Sequence, residues 1–167
     1  AGQSRWNEVV GLLERQLDIV SGDARAQVAR SLGEVHRDQL RDPRAAIRAY
    51  ETALEIDEND TAAMDAIEAL YQSNDRLESL RALLERRVQS ASDDERTAFQ
   101  LRLAALYEHS FRDQGAAIDM FQKVLRADPG NVVAERELER LFEATGEWND
   151  LIVMLLSKVG DASDEAQ

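Results

Sequence analysis

The sequence predicts an all-α protein, and three observations carry that expectation. Apolar residues recur at the i, i+3, i+4 spacing of a helix with one buried face, as in Leu12, Leu13 and Leu17 or Leu80, Leu83, Leu84 and Val88. Composition agrees: 2 prolines and 8 glycines leave little material for turns, and the long stretches rich in Ala, Leu, Glu and Arg favour helix. β-branched residues are scattered rather than set in alternating runs. Third, the chain shifted by 71 positions matches itself at 25 of 96 overlaid residues without a gap. Chance at ordinary composition gives about one in fifteen, so the chain is a repeat.

Short polar clusters divide the apolar stripes and supply the N-capping side chains and turn formers of the next helix. The first helix is expected near residues 4–20, ended by Ser21–Gly22–Asp23. The second follows near 24–40, and Arg41–Asp42–Pro43 separates it from the third at 43–56. Asp57–Glu58–Asn59–Asp60 precedes a helix at 61–73, and Ser73–Asn74–Asp75 one at 76–89. Ser90–Ala91–Ser92–Asp93 introduces 94–110, and Arg112–Asp113–Gln114–Gly115 introduces 114–127. Asp128–Pro129–Gly130–Asn131 and Thr145–Gly146–Glu147 introduce the last two, 132–145 and 148–159. Loops of two to five residues make the nine consecutive helices antiparallel neighbours.

The 71-residue register reaches a third copy, aligning Trp6, Leu77 and Trp148, and also Leu13, Leu84 and Leu155. Ala46–x3–Tyr50–x2–Ala53–Leu54 falls on Ala117–x3–Phe121–x2–Val124–Leu125, followed by Asp128–Pro129. These stretches resemble the second helix of a tetratricopeptide repeat, and Leu32–Gly33–x2–His36 and Leu103–Ala104–x2–Tyr107 resemble its first. A small residue lets two helices approach, and the aromatic four residues later fills the space one turn on. The repeat positions on this reading are Leu32, Ala46, Tyr50, Leu54, Leu103, Tyr107, Ala117, Phe121, Leu125 and Pro129. The 71-residue period is then two hairpins, near the 34-residue unit of that family. The hairpins between are degenerate: Leu80 and Leu151 replace the small Ala, and Glu68 and Glu139 replace Gly or Ala.

The resemblance implies a right-handed α-α superhelix, or solenoid, of antiparallel hairpins. It gives one repeat domain over 1–167, with half a hairpin at 4–20 and hairpins at 24–56, 61–89, 94–127 and 132–159. Ala162–Ser163–Asp164 matches the loop Ala91–Ser92–Asp93, and Trp6 opens a hairpin's second helix. The chain therefore reads as a fragment of a longer array.

Composition excludes several functions. A net charge of −13 argues against nucleic acid and anionic membranes, which rely on clustered Lys and Arg. No apolar run nears the ~20 residues of a membrane span. The absence of cysteine removes disulfides, thiolate metal sites and cysteine nucleophiles, and leaves the compartment open between bacterial cytoplasm and periplasm. Eighteen of 20 basic residues are Arg, the usage of a GC-rich bacterial genome.

No cofactor, metal or catalytic site is expected. His36 takes the place of Tyr107 and should pack in a hairpin with one nitrogen bonded, while His109 takes the place of Asp38 and should be solvated. Acidic runs such as Asp57–Glu58–Asn59–Asp60 lack the glycine and distal Glu of a calcium loop, and suit helix starts instead. No phosphate-cradling Gly loop, H-E-x-x-H or nucleophile elbow occurs.

In the family resembled, first helices line a concave groove that binds a peptide. Carried over, the groove holds Arg30, Glu34 and Arg37, then Asp65, Ala69 and Gln72. Leu101, Ala105, Glu108 and His109 follow, and then Arg136 and Arg140. Some members hold a carboxylate with Lys, Arg and Asn; the positions here carry no Lys or Asn, which argues against that role. A solvated face without ligand remains an alternative reading of the same residues. The expected function is a scaffold or adaptor binding a protein or peptide segment. The alternatives are self-association through open repeat ends, and a non-catalytic domain attached to an enzyme or an export machine.

Overall fold

The computed structural model describes residues 2–164, with side chains other than those of 2, 94 and 157–164. Within that range there are nine helices and no strand: α1 (Gly2–Ile19), α2 (Gly22–Glu34), α3 (Pro43–Ile56), α4 (Thr61–Ser73), α5 (Leu77–Ser90), α6 (Asp93–Leu106), α7 (Gln114–Ala127), α8 (Val132–Thr145) and α9 (Trp148–Asp164). The chain forms two compact units, Ala1–Leu83 and Leu84–Gln167.

Side-chain caps explain why four helices start where they do. Asp42 accepts a hydrogen bond from the Ala45 amide at 3.0 Å and Pro43 opens α3, and Asp60 accepts from Ala63 at 3.0 Å. The positions 71 residues on repeat the device: Asp113 accepts from Ala116 at 2.9 Å and Asn131 from Ala134 at 3.1 Å. Each side chain satisfies an amide that the first turn leaves without a carbonyl.

The ends of α2 and α6 depart from α geometry. Val35–Leu40 and Tyr107–Phe111 are π-helical continuations, closed by Arg41 and Arg112 in the left-handed region at φ 56° and 58°. The amides of Arg41 and Asp42 both reach the His36 carbonyl, and those of Arg112 and Asp113 the Tyr107 carbonyl. The two segments sit 71 residues apart, so the π turn belongs to the repeat.

In the first unit α1 packs on α2, α2 on α3 and α3 on α4. Its core is a seam of Ala29, Ala46, Tyr50, Ala53, Ala63 and Ile67, all at most 1% exposed. The glycine at position 33 is required here: a Cβ would lie 2.9 Å from the Tyr50 ring. In the second unit α6 packs on α7, α7 on α8 and α8 on α9 around Ala104, Ala117, Val124, Ala134, Leu138 and Leu141. Burial of each large side chain stabilises by about 1.5–3 kcal/mol.

Of the repeat positions, Leu32, Ala46, Tyr50, Leu54, Leu103, Ala117 and Phe121 are buried, Tyr107 and Leu125 are half-buried, and Pro129 is exposed in its turn. Ala162–Ser163–Asp164, expected as a loop, continues α9. At the identical Ala91–Ser92–Asp93 the turn is held by Arg96, which donates to the carbonyls of Val88 and Ala91.

Candidate functional site

α2 turns Ala26, Val28, Ala29, Leu32 and Gly33 inward. That places Arg30, Glu34 and Arg37 on another stripe of the same helix and its π continuation, spaced i, i+4, i+7. Arg30 does not face an open groove. Its guanidinium donates to both oxygens of Asp60 at 2.8 and 2.9 Å, and Asp60 is the buried cap of α4, so the pair ties α2 to the start of α4. Arg37 grips the adjacent Asp38 through Nε and Nη2 at 2.7 and 2.8 Å and lies over the Tyr50 ring at 5.8 Å. The bond from Arg37 holds the Asp38 carboxyl below its usual range. Burial pushes the Tyr50 phenol up to about 12, with Arg37 opposing, and the hydroxyl is enclosed without a partner. Glu34 is exposed, as are Asp65, Ala69 and Gln72 along α4.

The second unit is organised differently. Leu101 and Ala105 are half-buried on α6, with Glu108 and His109 on its π continuation. Arg140 of α8 donates through Nη2 to both oxygens of Glu108 at 2.7 Å and through Nε to Glu137 at 2.8 Å. Arg136 donates to the other oxygen of Glu137 at 3.1 Å. Arg136, Glu137, Arg140 and Glu108 therefore form one alternating row of charge linking α8 to the end of α6. Arg140 above all, then Arg136, holds the Glu137 carboxyl below its ordinary range against the effect of burial. Glu108, then Glu137, raises the Arg140 guanidinium. The side chain of Arg136 stays 73% exposed, which makes it the most accessible cation of the row.

The structure thus joins Glu108, Arg136 and Arg140, and draws Arg30 away to Asp60. Asp60 and Glu137 are the residues that sequence reasoning missed as partners. One signal for the first lay in the repeat: the positions equivalent to Arg30 and Asp60 are Leu101 and Asn131, so both halves of the ion pair change together. His109 is exposed; His36 is half-buried, with Nδ1 enclosed and unpartnered rather than bonded.

Two concavities lie within the second unit, and neither includes an expected groove residue. One of about 690 Å³ is polar, lined by Asp93, Arg96, Thr97, Gln100, Ala127 and Asp128. The other, about 370 Å³, is lined mainly by Leu125, Leu138, Phe142, Val153 and Met154. Among the described residues no group of three or more His, Asp or Glu side chains is arranged to hold a metal ion, and no helix is long and apolar enough to cross a membrane.

No family model matches the sequence, and no curated protein matches it. Solved structures do. "Crystal structure of MamA" superposes with a TM-score of 0.57 at 15% identity, over 98% of this chain and 92% of that one. "Crystal structure of MamA protein" gives 0.56 at 15%, over 98% and 86%. "MamA RS-1 ArsTM double mutant" gives 0.55 at 16%, over 97% and 87%. The chain shares the helical-repeat fold of these proteins.

Proposed function

We propose that the chain is a non-catalytic protein-interaction module of the tetratricopeptide type, which takes a partner segment on the faces of α6 and α8. The observation that supports this most is the charged row Arg136–Glu137–Arg140–Glu108. Its members are fixed on rigid helices before any partner arrives, so little ordering is lost on docking. Leu101 and Ala105 precede Glu108 on the same helix and supply an apolar shelf beside the charges. An acidic side chain of a partner reaches Arg136 while a neighbouring apolar one covers the shelf. The carboxylate attracts locally despite the −13 charge of the chain.

The test uses 12-residue peptides with one Asp or Glu beside one Leu, and the same peptides with Lys for the acid, titrated by calorimetry. Losing a charge-assisted contact is worth about 1.5–3 kcal/mol, so Arg136→Glu should weaken the acidic peptides tenfold or more. Arg140 braces Glu108 and is better probed by Arg140→Gln, which keeps a donor. The control, Arg48→Glu with Arg126→Glu on α3 and α7, should leave affinity unchanged. Sensitivity to the control pair alone moves the binding surface to the second helices of the hairpins.

A further inference from the structure

The larger concavity of the second unit, about 690 Å³, lies between the start of α6 and the end of α7. Asp93, Arg96, Thr97 and Gln100 stand at i, i+3, i+4 and i+7, so one face of α6 supplies a wall, and Ala127 and Asp128 complete it. Asp93 and Asp128 are exposed, Arg96 and Thr97 are half-buried, and Gln100 is only 7% exposed. The cavity thus has an acidic mouth and a carboxamide at its floor. Its volume is that of a small-molecule site.

Gln100 is the residue that packing does not explain. Its Oε1 is enclosed and accepts no hydrogen bond, which disfavours the folded state. The repeat shows that the fold does not need this side chain. The 71-residue equivalents of Thr97 and Gln100 are Ala26 and Ala29, buried at 3% and 0% in the first unit. The second copy therefore carries a hydroxyl and a carboxamide where alanine suffices. A polar group kept without a partner on a cavity wall points to a contact made with something else.

The groups around the cavity define that contact. Arg96 commits its donors to the chain itself: Nε to the Val88 carbonyl at 3.2 Å, Nη2 to the Ala91 carbonyl at 2.8 Å and Nη1 to Asp93 at 2.6 Å. It is poorly placed to hold an anion. Asp128 accepts from the Asn131 amide through one oxygen at 3.0 Å and keeps the other. The unmatched capacity among the described residues is thus mostly acceptor: the Gln100 carboxamide oxygen, the Thr97 hydroxyl and one oxygen each of Asp93 and Asp128. The terminal torsion of a glutamine is soft, so a half-turn brings the Gln100 oxygen to the cavity side. A primary ammonium has three donors and no acceptor, the complement of this set. The chain's charge of −13 favours it further.

We propose that this cavity binds a primary alkylammonium group, from a free polyamine or from a lysine side chain, with Asp93 and Asp128 at the mouth and Thr97 and Gln100 within. The site shares no residue with the row Arg136–Glu137–Arg140–Glu108 and is independent of peptide binding there.

The isotope-labelled full chain is titrated with cadaverine and with N-acetyl-lysine methylamide, followed by heteronuclear NMR. The uncharged diol of the same chain length, and acetate, serve as comparisons. The side-chain amide pair of Gln100 and the backbone amide of Thr97 should shift saturably with an amine. Tighter binding of cadaverine assigns the site to free amines, and tighter binding of the lysine derivative assigns it to a protein side chain. Gln100→Met, of similar length without hydrogen-bonding groups, should weaken the amines about fivefold or more while the thermal midpoint holds or rises. Asp128→Asn should weaken them by a similar factor, and Gln122→Ala, at the smaller concavity, should not. If Gln100→Met unfolds, Gln100→Ala takes its place, since the first copy folds around Ala29 at that position. The proposal is overturned if neither amine saturates, or if the diol or acetate shifts the same signals as strongly. It is equally overturned if the amines bind the Gln100 variant as well as the parent, in which case Gln100 meets only water.

Discussion

The two copies of the repeat agree in their apolar seams and helix caps and differ in the side-chain pairs that tie one helix to another. Ala46 and Ala117, Ala63 and Ala134, and Ile67 and Leu138 are all at most 1% exposed. The polar ties do not follow the register. The first copy links α2 to α4 through Arg30 and Asp60, whose equivalents are Leu101 and Asn131. The second links α6 to α8 through Glu108 and Arg140, whose equivalents are Arg37 and Ala69. Tyr71 donates to Glu51 at 2.9 Å in the first copy, and the second has Phe142 and Gln122. Each of these three pairs is replaced on both sides. The reason is energetic: an enclosed polar group left without its partner costs about 1–3 kcal/mol, whereas replacing both groups is close to neutral. Packing fixes the repeat, and polar pairs vary as units upon it.

The strongest way to break that comparison is to sever a pair on one side only. Asp60→Ala removes the α4 cap and strands Arg30, and should cost roughly 3 kcal/mol, about 1 for the cap and about 2 for the ion pair. Asn131→Ala, which removes a cap and an exposed hydrogen bond to Asp128 but no ion pair, should cost about 1 kcal/mol. Arg30→Leu with Asp60→Asn, the second copy's combination, should restore most of the loss. Urea unfolding measures all three, and a double variant no better than Asp60→Ala would show that the pairs do not vary as units.

A smaller effect is expected from Gly33→Ala, which writes Ala104 into the first copy. The new Cβ meets the Tyr50 ring at 2.9 Å, an overpacking of about 1–3 kcal/mol that the better helix propensity of alanine offsets by about 1. Adding Tyr50→Phe, the counterpart of Phe121, frees the ring to shift and should recover stability. The thermal midpoints of the single and double variants should therefore be non-additive.

The smallest effect concerns acid. The carboxyl of Glu137 is lowered first by Arg140, and that of Asp42 first by the Ala45 amide. For both, the stabilisation is present above the unfolded carboxylate value and lost as pH falls through the lowered folded value, below about pH 4. An NMR titration should place both carboxyls below their ordinary range. About 1 M salt or Arg140→Leu should move Glu137 back up while leaving Asp42, held by a backbone amide, in place. A shift of both together would mean that long-range charge, not local bonding, sets them.

Much of this fold was legible because short polar side chains mark it. The expected bounds 43–56, 61–73, 114–127 and 132–145 coincide with α3, α4, α7 and α8, the four helices capped by Asp or Asn side chains. The π ends of α2 and α6 were not legible, since a shift from i−4 to i−5 bonding leaves the apolar spacing almost unchanged. The candidate site was legible only as positions on helix faces. What each arginine does depends on a partner about 30 residues away: Arg30 on Asp60, and Arg140 on Glu108. No local pattern reports such a pairing; only the joint change of both partners between copies does.

The π turns at Val35–Leu40 and Tyr107–Phe111 bear on how repeats change length. A π turn is an α-helix carrying one residue more than its ladder needs. Removing one residue there leaves an ordinary helix, and the left-handed arginine that follows still reverses the chain. Elsewhere in a helix the same deletion rotates every later side chain by about 100°, turning core into surface. Each copy thus holds one place where the genetic text can gain or lose a codon without throwing the following helices out of phase.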